Sequence, residues 1–268
     1  MISTSNMKIL RDFFACVVLA GLLTPAGFAQ TDTNAAKATT SQADIPAVGR
    51  LPDTDDGLPG AGPIRRVDWF RKLWQARRVA FSKHVEQDQG AVVFLGDSIT
   101  QGWGDNLGNS FPGLKVANRG ISGDTTRGVL IRLKEDVIAV HPRAVVLLIG
   151  TNDLEDQADP ETVAGNMKLI LAALEADNPK MPIILCEVFP SSASKKRPKE
   201  KIQRVNQLYA GLVKGDKQVT LLDTWTLFAD ENGDAPIAEF PDLLHPNQAG
   251  YKKWAGVLQP VLAPISTH

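Results

Sequence analysis

The chain is short of cysteine, short of histidine and without an excess of either charge. Only two cysteines occur in 268 residues, Cys16 and Cys186. Cys16 falls in an N-terminal stretch expected to be removed, so the mature chain keeps one thiol and forms no internal disulfide. Cys186 closes the apolar run Ile183-Ile184-Leu185-Cys186, which suits a buried and inert thiol. Lys and Arg number 29 against 30 Asp and Glu, a formal net charge of -1. Without a basic field there is no recruitment of nucleic acid or acidic lipid, and those partner classes are set aside. Long apolar runs are missing too: Phe13–Leu23 spans eleven residues, too short for a membrane-spanning helix of about 20.

That run nevertheless reads as an export signal. Lys8 and Arg11 precede it, and the small residues of Thr24-Pro25-Ala26-Gly27-Phe28-Ala29 close it, so cleavage is expected after Ala29. The alternative is an uncleaved anchor. Cleavage implies a secreted or periplasmic protein with no stable membrane insertion. Residues 30–65 are rich in Ala, Thr, Asp, Pro and Gly and carry few large apolar side chains, the composition of a flexible linker. Asp53, Asp55 and Asp56 in it suggest calcium, but solvated carboxylates explain them as well. Residues 66–268 are expected to form the folded domain.

From Trp69 the periodicity becomes regular. Trp69, Phe70, Leu73, Trp74, Arg77 and Phe81 follow helical spacing. The two tryptophans suit either a sugar platform or packing of this helix on the core. Then short apolar runs alternate with helical stretches. The runs are 91–95, 115–118, 144–149, 182–188 and 219–223, and the helices are expected over 125–137, from Asp159-Pro160, from Pro198, and over 247–258. Proline directly after an N-cap residue is a helix start signal. Continuous apolar strands alternating with helices make a parallel sheet covered on both faces. The fold class is α/β, a flavodoxin-like three-layer α/β/α sandwich with a five-stranded parallel sheet.

Ligands of such sheets sit at the carboxyl ends of the strands. That rim collects Ser98 after the first strand, Gly120 after the second, Asn152 after the third, and Asp242 and His245 after the fifth. Ser98, in Gly96-Asp97-Ser98-Ile99-Thr100, is either a nucleophile or a helix N-cap. His245 is the one of four histidines on the rim; His84, His141 and His268 lie elsewhere. It suits a general base for Ser98, with Asp242, three residues earlier, fixing its tautomer. Oxyanion donors are the backbone N–H groups of Ser98 and Gly120 and the side-chain amide of Asn152, although Gly120 also reads as a turn glycine and Asn152 as an Asx-turn. Trp103 suits either a substrate pocket or core packing. Lys195, Lys196, Arg197 and Lys199 form a basic run that suits an anionic leaving group or a solvated loop.

Four blocks, Gly96-Asp97-Ser98-Ile99-Thr100, Asn118-Arg119-Gly120, Gly150-Thr151-Asn152-Asp153 and Asp242-Leu243-Leu244-His245-Pro246, resemble in order those of the SGNH/GDSL hydrolase family. Gly120-Ile121-Ser122-Gly123-Asp124-Thr125-Thr126-Arg127 and Val205-Asn206-Gln207-Leu208 bring the chain nearest to catalytic subunits of platelet-activating-factor acetylhydrolase and their bacterial relatives. The resemblance covers about Trp69 to Leu262. It implies Ser98 as nucleophile, His245 as base and Asp242 as its partner. It further implies an oxyanion hole of Ser98, Gly120 and Asn152, no cofactor and no metal, and a homodimer. The expected activity is hydrolysis of short, acetyl-like esters of a small molecule or carbohydrate. Polysaccharide O-deacetylation, lysophospholipase and thioesterase chemistry are the family's alternatives. An idle carbohydrate-binding module and a metal-dependent hydrolase are the alternatives from other classes.

Overall fold

Five apolar runs become five parallel strands. In a computed structural model, which describes residues 49–265, these are β1 (Val92–Gly96), β2 (Val116–Gly120), β3 (Ala144–Leu148), β4 (Ile183–Cys186) and β5 (Val219–Leu222). The sheet order is β2-β1-β3-β4-β5, with every pairing parallel. All residues of β1, β3 and β4 are buried, as strands covered on both faces require. The edge strand β5 leaves Thr220 exposed. The expected signal segment, and the linker up to residue 48, lie outside the described residues.

Alternate strand residues serve two separate cores, because successive side chains point to opposite faces. Val93, Leu95, Val145, Leu147, Ile183 and Leu185 pack against α3 (Thr126–Asp136), α5 (Pro160–Asp177) and α6 (Lys199–Leu212). Val92, Phe94, Val146, Leu148, Ile184 and Cys186 pack against the other layer, made by α2 (Ser98–Gly102), α7 (Thr224–Phe228) and α8 (Gln248–Leu262). The result is the three-layer α/β/α sandwich. Two further helices are α1 (Asp68–Lys83) and the short α4 (Thr151–Glu155). Helix boundaries follow local chemistry. Thr125 caps α3 by accepting from Gly128 N–H at 3.2 Å, and Asn247 caps α8 by accepting from Ala249 and Gly250 N–H. Asp159 stands at the N-cap of α5 without a side-chain cap bond, so Pro160, with its preset φ, marks that start. Cys186 is buried, and burial pushes its thiol up to about 12.

A charged seam crosses the first core. Arg132, fully buried, donates from Nε to Asp124 Oδ2 (2.8 Å) and from Nη2 to Gly96 O (3.1 Å). Its Nη1 stands 3.6 Å from Asp136 Oδ2, an ion pair beyond hydrogen-bond reach. Arg78 Nε reaches both oxygens of Asp136, at 3.0 and 3.1 Å. The two cations and two carboxylates answer each other, which is the condition for holding charge away from water.

One boundary differs from the sequence reading. Residues 51–65 were expected to continue a flexible linker, yet they lie docked on the domain. Leu51 is buried beside Phe70 and Trp74. Asp55 pairs with Arg66 and Arg127, and Asp53 with Arg71. Asn166 brackets Ala61, accepting from its N–H at 3.0 Å and donating to its O at 2.8 Å. Thr125 Oγ1 donates to Pro63 O. The segment is tied down by hydrogen bonds and ion pairs, so its lack of large apolar residues does not set it free. Of the aspartates that suggested calcium, Asp53 and Asp55 are thereby committed to arginines. Among the described residues no group of three or more His, Cys, Asp or Glu is arranged to hold a metal ion.

Candidate active site

The strand order reverses direction between β1 and β3, and the crevice at such a switch point is where ligands bind. Ser98 follows β1 there and Asn152 follows β3. Gly96 ends β1 under tight constraint: a Cβ on it would fall 2.3 Å from Thr100 Oγ1 and 2.4 Å from Leu148 O. Asp97 then caps α2, its Oδ1 accepting from Ile99 N–H at 2.9 Å. Burial pushes the Asp97 carboxyl up to about 6, against the pull of the Ile99 N–H and of the positive groups around it. Its role is therefore to hold the turn that presents Ser98.

His245 reaches this turn from 147 residues away. Its Nε2 lies 2.9 Å from Ser98 Oγ, and its Nδ1 lies 2.7 Å from Asp242 Oδ2. The other Asp242 oxygen accepts from the backbone N–H of Leu244 (3.1 Å) and His245 (2.7 Å). Leu243 takes a left-handed φ of 63° to close this turn, and Ser191 Oγ donates to its carbonyl. Partial burial alone would raise the Asp242 carboxyl, but the hydrogen bonds from His245 and Leu244 bring it down to about 2. An ionised Asp242 accepts a hydrogen bond from Nδ1–H, which keeps the proton on that nitrogen and leaves Nε2 free to accept from the serine hydroxyl. Tyr251 fastens the two halves together, its hydroxyl donating from α8 to Ile99 O in α2 at 2.8 Å.

Asn152 stands in the first turn of α4. Its Nδ2 donates to Asp124 O at 2.9 Å, and its Oδ1 accepts from Arg197 Nη2 at 3.0 Å. An amide carries two N–H donors, so one remains. Gly120 departs from the expected role. Its N–H is spent on Asn118 Oδ1 at 2.8 Å, and Asn118 is itself anchored by donating to Thr100 O and Gly104 O. Glycine is needed at this position because α2 lies against it: a Cβ would fall 2.2 Å from Gln101 N. The neighbouring Gly123, which sequence reasoning passed over, has a φ of +85° and an N–H with no acceptor in the structure. It immediately precedes Asp124, whose carbonyl holds Asn152. The sequence contains both glycines, and only the Asn118 side chain tells them apart.

The remaining candidates separate by burial. Trp103 is core, stacked on Trp254 (4.6 Å between centroids) and Tyr251 (5.2 Å). One edge of it lines a groove of about 1100 Å³ shared with Gly102, Pro246 and Gln259, so packing and pocket lining coincide there. Trp74 is buried, whereas Trp69 is 53% exposed. A Cβ on Gly123 would fall 2.6 Å from the Trp69 ring, which places that ring against the second glycine. In the basic run Lys196 and Lys199 are exposed, but Arg197 is only 3% exposed. It is not part of a solvated loop. His84 follows α1 and His141 precedes β3, away from the carboxyl ends of the strands.

Comparison with known proteins agrees with this fold. The profile of the GDSL-like Lipase/Acylhydrolase family matches residues 94–253. The chain is 31% identical over 187 residues to platelet-activating factor acetylhydrolase IB subunit alpha2 of Homo sapiens, covering 67% of this chain and 79% of that one. It is 31% identical over 182 residues to the alpha1 subunit of Pongo abelii, covering 65% and 75%. Among solved structures, a GDSL-like lipase from Bacteroides thetaiotaomicron superposes with a TM-score of 0.60 at 25% identity, covering 69% of this chain and 97% of that one.

Proposed function

The chain belongs to the GDSL-like lipase/acylhydrolase family and is an ester-hydrolysing enzyme; from that premise we propose that it works through Ser98, His245 and Asp242 on short acyl esters, acetyl foremost, outside the cytoplasm. The observation that carries the triad is the unbroken chain from Ser98 Oγ to His245 Nε2 and from His245 Nδ1 to Asp242. Ser98 Oγ attacks the ester carbonyl while Nε2 takes its proton. The tetrahedral oxyanion accepts from the remaining Asn152 N–H, from the Ser98 N–H and, in place of Gly120, from the Gly123 N–H. His245 then gives its proton to the departing alcohol. Water enters, His245 removes its proton, and the same sequence releases the acid and restores Ser98.

Two features support a short acyl group. Two relatives that are 31% identical to the chain are named acetylhydrolases. The described residues also include no long helix inserted over the rim; the helices at it, α2 and α4, are five residues each. Aryl esters of increasing acyl length test this: kcat/KM is expected to be highest for acetate and to fall through butyrate to octanoate. A profile rising to octanoate overturns the acetyl reading and leaves the triad standing. Export rests on the residues that precede the described part, with Lys8 and Arg11 before Phe13–Leu23. An intact mass starting at Gln30, in protein recovered outside the cytoplasm, is the expected result; a mass retaining Met1 overturns cleavage. An exported enzyme meets acetylated carbohydrates or other extracellular esters, and these are the substrate class proposed. A homodimer, as the resemblance implies, remains part of this proposal.

A further inference from the structure

Arg197 takes no part in the triad, yet four hydrogen bonds tie it to the site. Its Nε donates to Thr151 O (3.0 Å) and its Nη1 to Lys195 O (2.7 Å). Its Nη2 donates to Asn152 Oδ1 (3.0 Å) and to Glu155 Oε2 (2.8 Å). A guanidinium only donates. The Asn152 atom facing it is therefore the carbonyl oxygen, and the NH2 is turned away, with one N–H on Asp124 O. Flipping the amide would set NH2 against the guanidinium and bring an acceptor toward the developing oxyanion. Arg197 and the Asp124 carbonyl together thus remove the one ambiguity in the Asn152 side chain that matters for hydrolysis, Arg197 by holding its oxygen.

Glu155 is held in its turn. Arg65 Nη2 donates to Glu155 Oε2, and Arg65 also grips Asp156 with Nε at 2.8 Å and Nη2 at 3.1 Å. Arg65, Arg197, Glu155 and Asp156 form two cations against two carboxylates, so a nearly buried guanidinium is compensated. Arg65 comes from the docked segment before α1, which Asn166, Thr125 and Arg127 hold in place.

We infer that Arg197 is a positioning residue that sets the Asn152 amide, and that Glu155 and Arg65 hold Arg197, which makes residues 51–65 a working part of the hydrolytic site. This rests on the oxyanion role of Asn152 proposed above. A double-mutant cycle on the full chain tests it, with kcat and KM for an aryl acetate measured separately in Arg197→Met, Asn152→Ala and the double variant. Misplacing a catalytic group by a fraction of its length costs up to about 10²-fold, so Arg197→Met is expected to lower kcat about 10- to 100-fold with KM little changed. In the Asn152→Ala background the same substitution is expected to cost little, because the group it orients is gone. Equal losses in both backgrounds overturn the inference alone: Arg197 then serves the fold. An Asn152→Ala variant with unchanged kcat overturns the oxyanion reading, and this inference with it. Where Arg197→Met does not fold, Glu155→Ala enters the same cycle. Non-additivity with Asn152→Ala supports the relay, and additivity overturns it.

Discussion

Ser98→Ala is expected to reduce kcat for an aryl acetate by about five to six orders of magnitude, the scale on which removing a serine nucleophile abolishes acyl transfer. In the proposed mechanism the residue contributes the attacking oxygen, and no neighbouring group is placed to replace it. Thr100, the next hydroxyl in α2, is buried, with its Oγ1 close against Gly96. The fold should tolerate the change, because the turn is held by Asp97 on Ile99 N–H and by Tyr251 on Ile99 O rather than by the serine hydroxyl. A phosphonylating ester inhibitor should label Ser98 in the parent protein and nothing in the variant. Full activity in Ser98→Ala, or label found only elsewhere, refutes the mechanism.

The second large effect is expected from Asp242→Asn. Asparagine keeps an oxygen for the backbone N–H groups of Leu244 and His245, so the turn survives. What changes is the group facing Nδ1. An NH2 there donates instead of accepting, which moves the imidazole proton to Nε2 and takes away the acceptor for Ser98. For a buried carboxylate that error costs about 10⁴ in kcat; the Asp242 side chain is 46% exposed, and competing water should bring the loss nearer to about 10³. KM should change little and thermal stability should be close to that of the parent. The pH dependence has a definite sign. The Asp242 carboxyl is held at about 2, below its ordinary value, so it stays ionised until pH falls through that range. Its stabilising contribution is complete above the unfolded value and is lost progressively as pH falls from there through about 2. A fall in kcat/KM at mildly acidic pH therefore does not come from Asp242. A loss of less than about tenfold in Asp242→Asn would show that the carboxylate is dispensable for setting the tautomer.

The sheet was readable in the sequence because buried parallel strands need uninterrupted apolar residues, and runs such as Ala144–Leu148 are the length of a strand and too short for a typical buried helix. The rule that ligands sit at the carboxyl ends of parallel strands then placed Ser98, Asn152 and His245 on one rim. What resisted reading was settled by single side chains. Gly120 and Gly123 lie three residues apart with equal claims, until Asn118 consumes the N–H of the first. Arg197 belongs by composition to a basic run. Its burial depends on acceptors at Lys195, Thr151, Asn152 and Glu155, three of which are contributed by another part of the chain. Residues 51–65 escape because periodicity registers apolar packing, and this segment is held by carbonyls, carboxylates and guanidinium groups. Trp103 packs in the core, and the groove it borders is lined by none of Ser98, Asn152, Asp242 and His245; its aromatic character in the sequence fitted either reading.

The distance along the chain between Ser98 and His245 bears on when activity begins. The proposed nucleophile directly follows β1, at the start of α2, and its proposed base comes after the last strand, just before α8. A chain that emerges amino end first completes β1 and α2 long before His245 exists, and Tyr251 cannot fasten α2 until α8 has docked. Until then Ser98 has no acceptor for its proton and is an ordinary hydroxyl. On the proposed mechanism, hydrolysis belongs to the finished molecule: a growing or carboxyl-truncated chain is expected to be silent toward esters, and the first turnover to report that the last helix has closed.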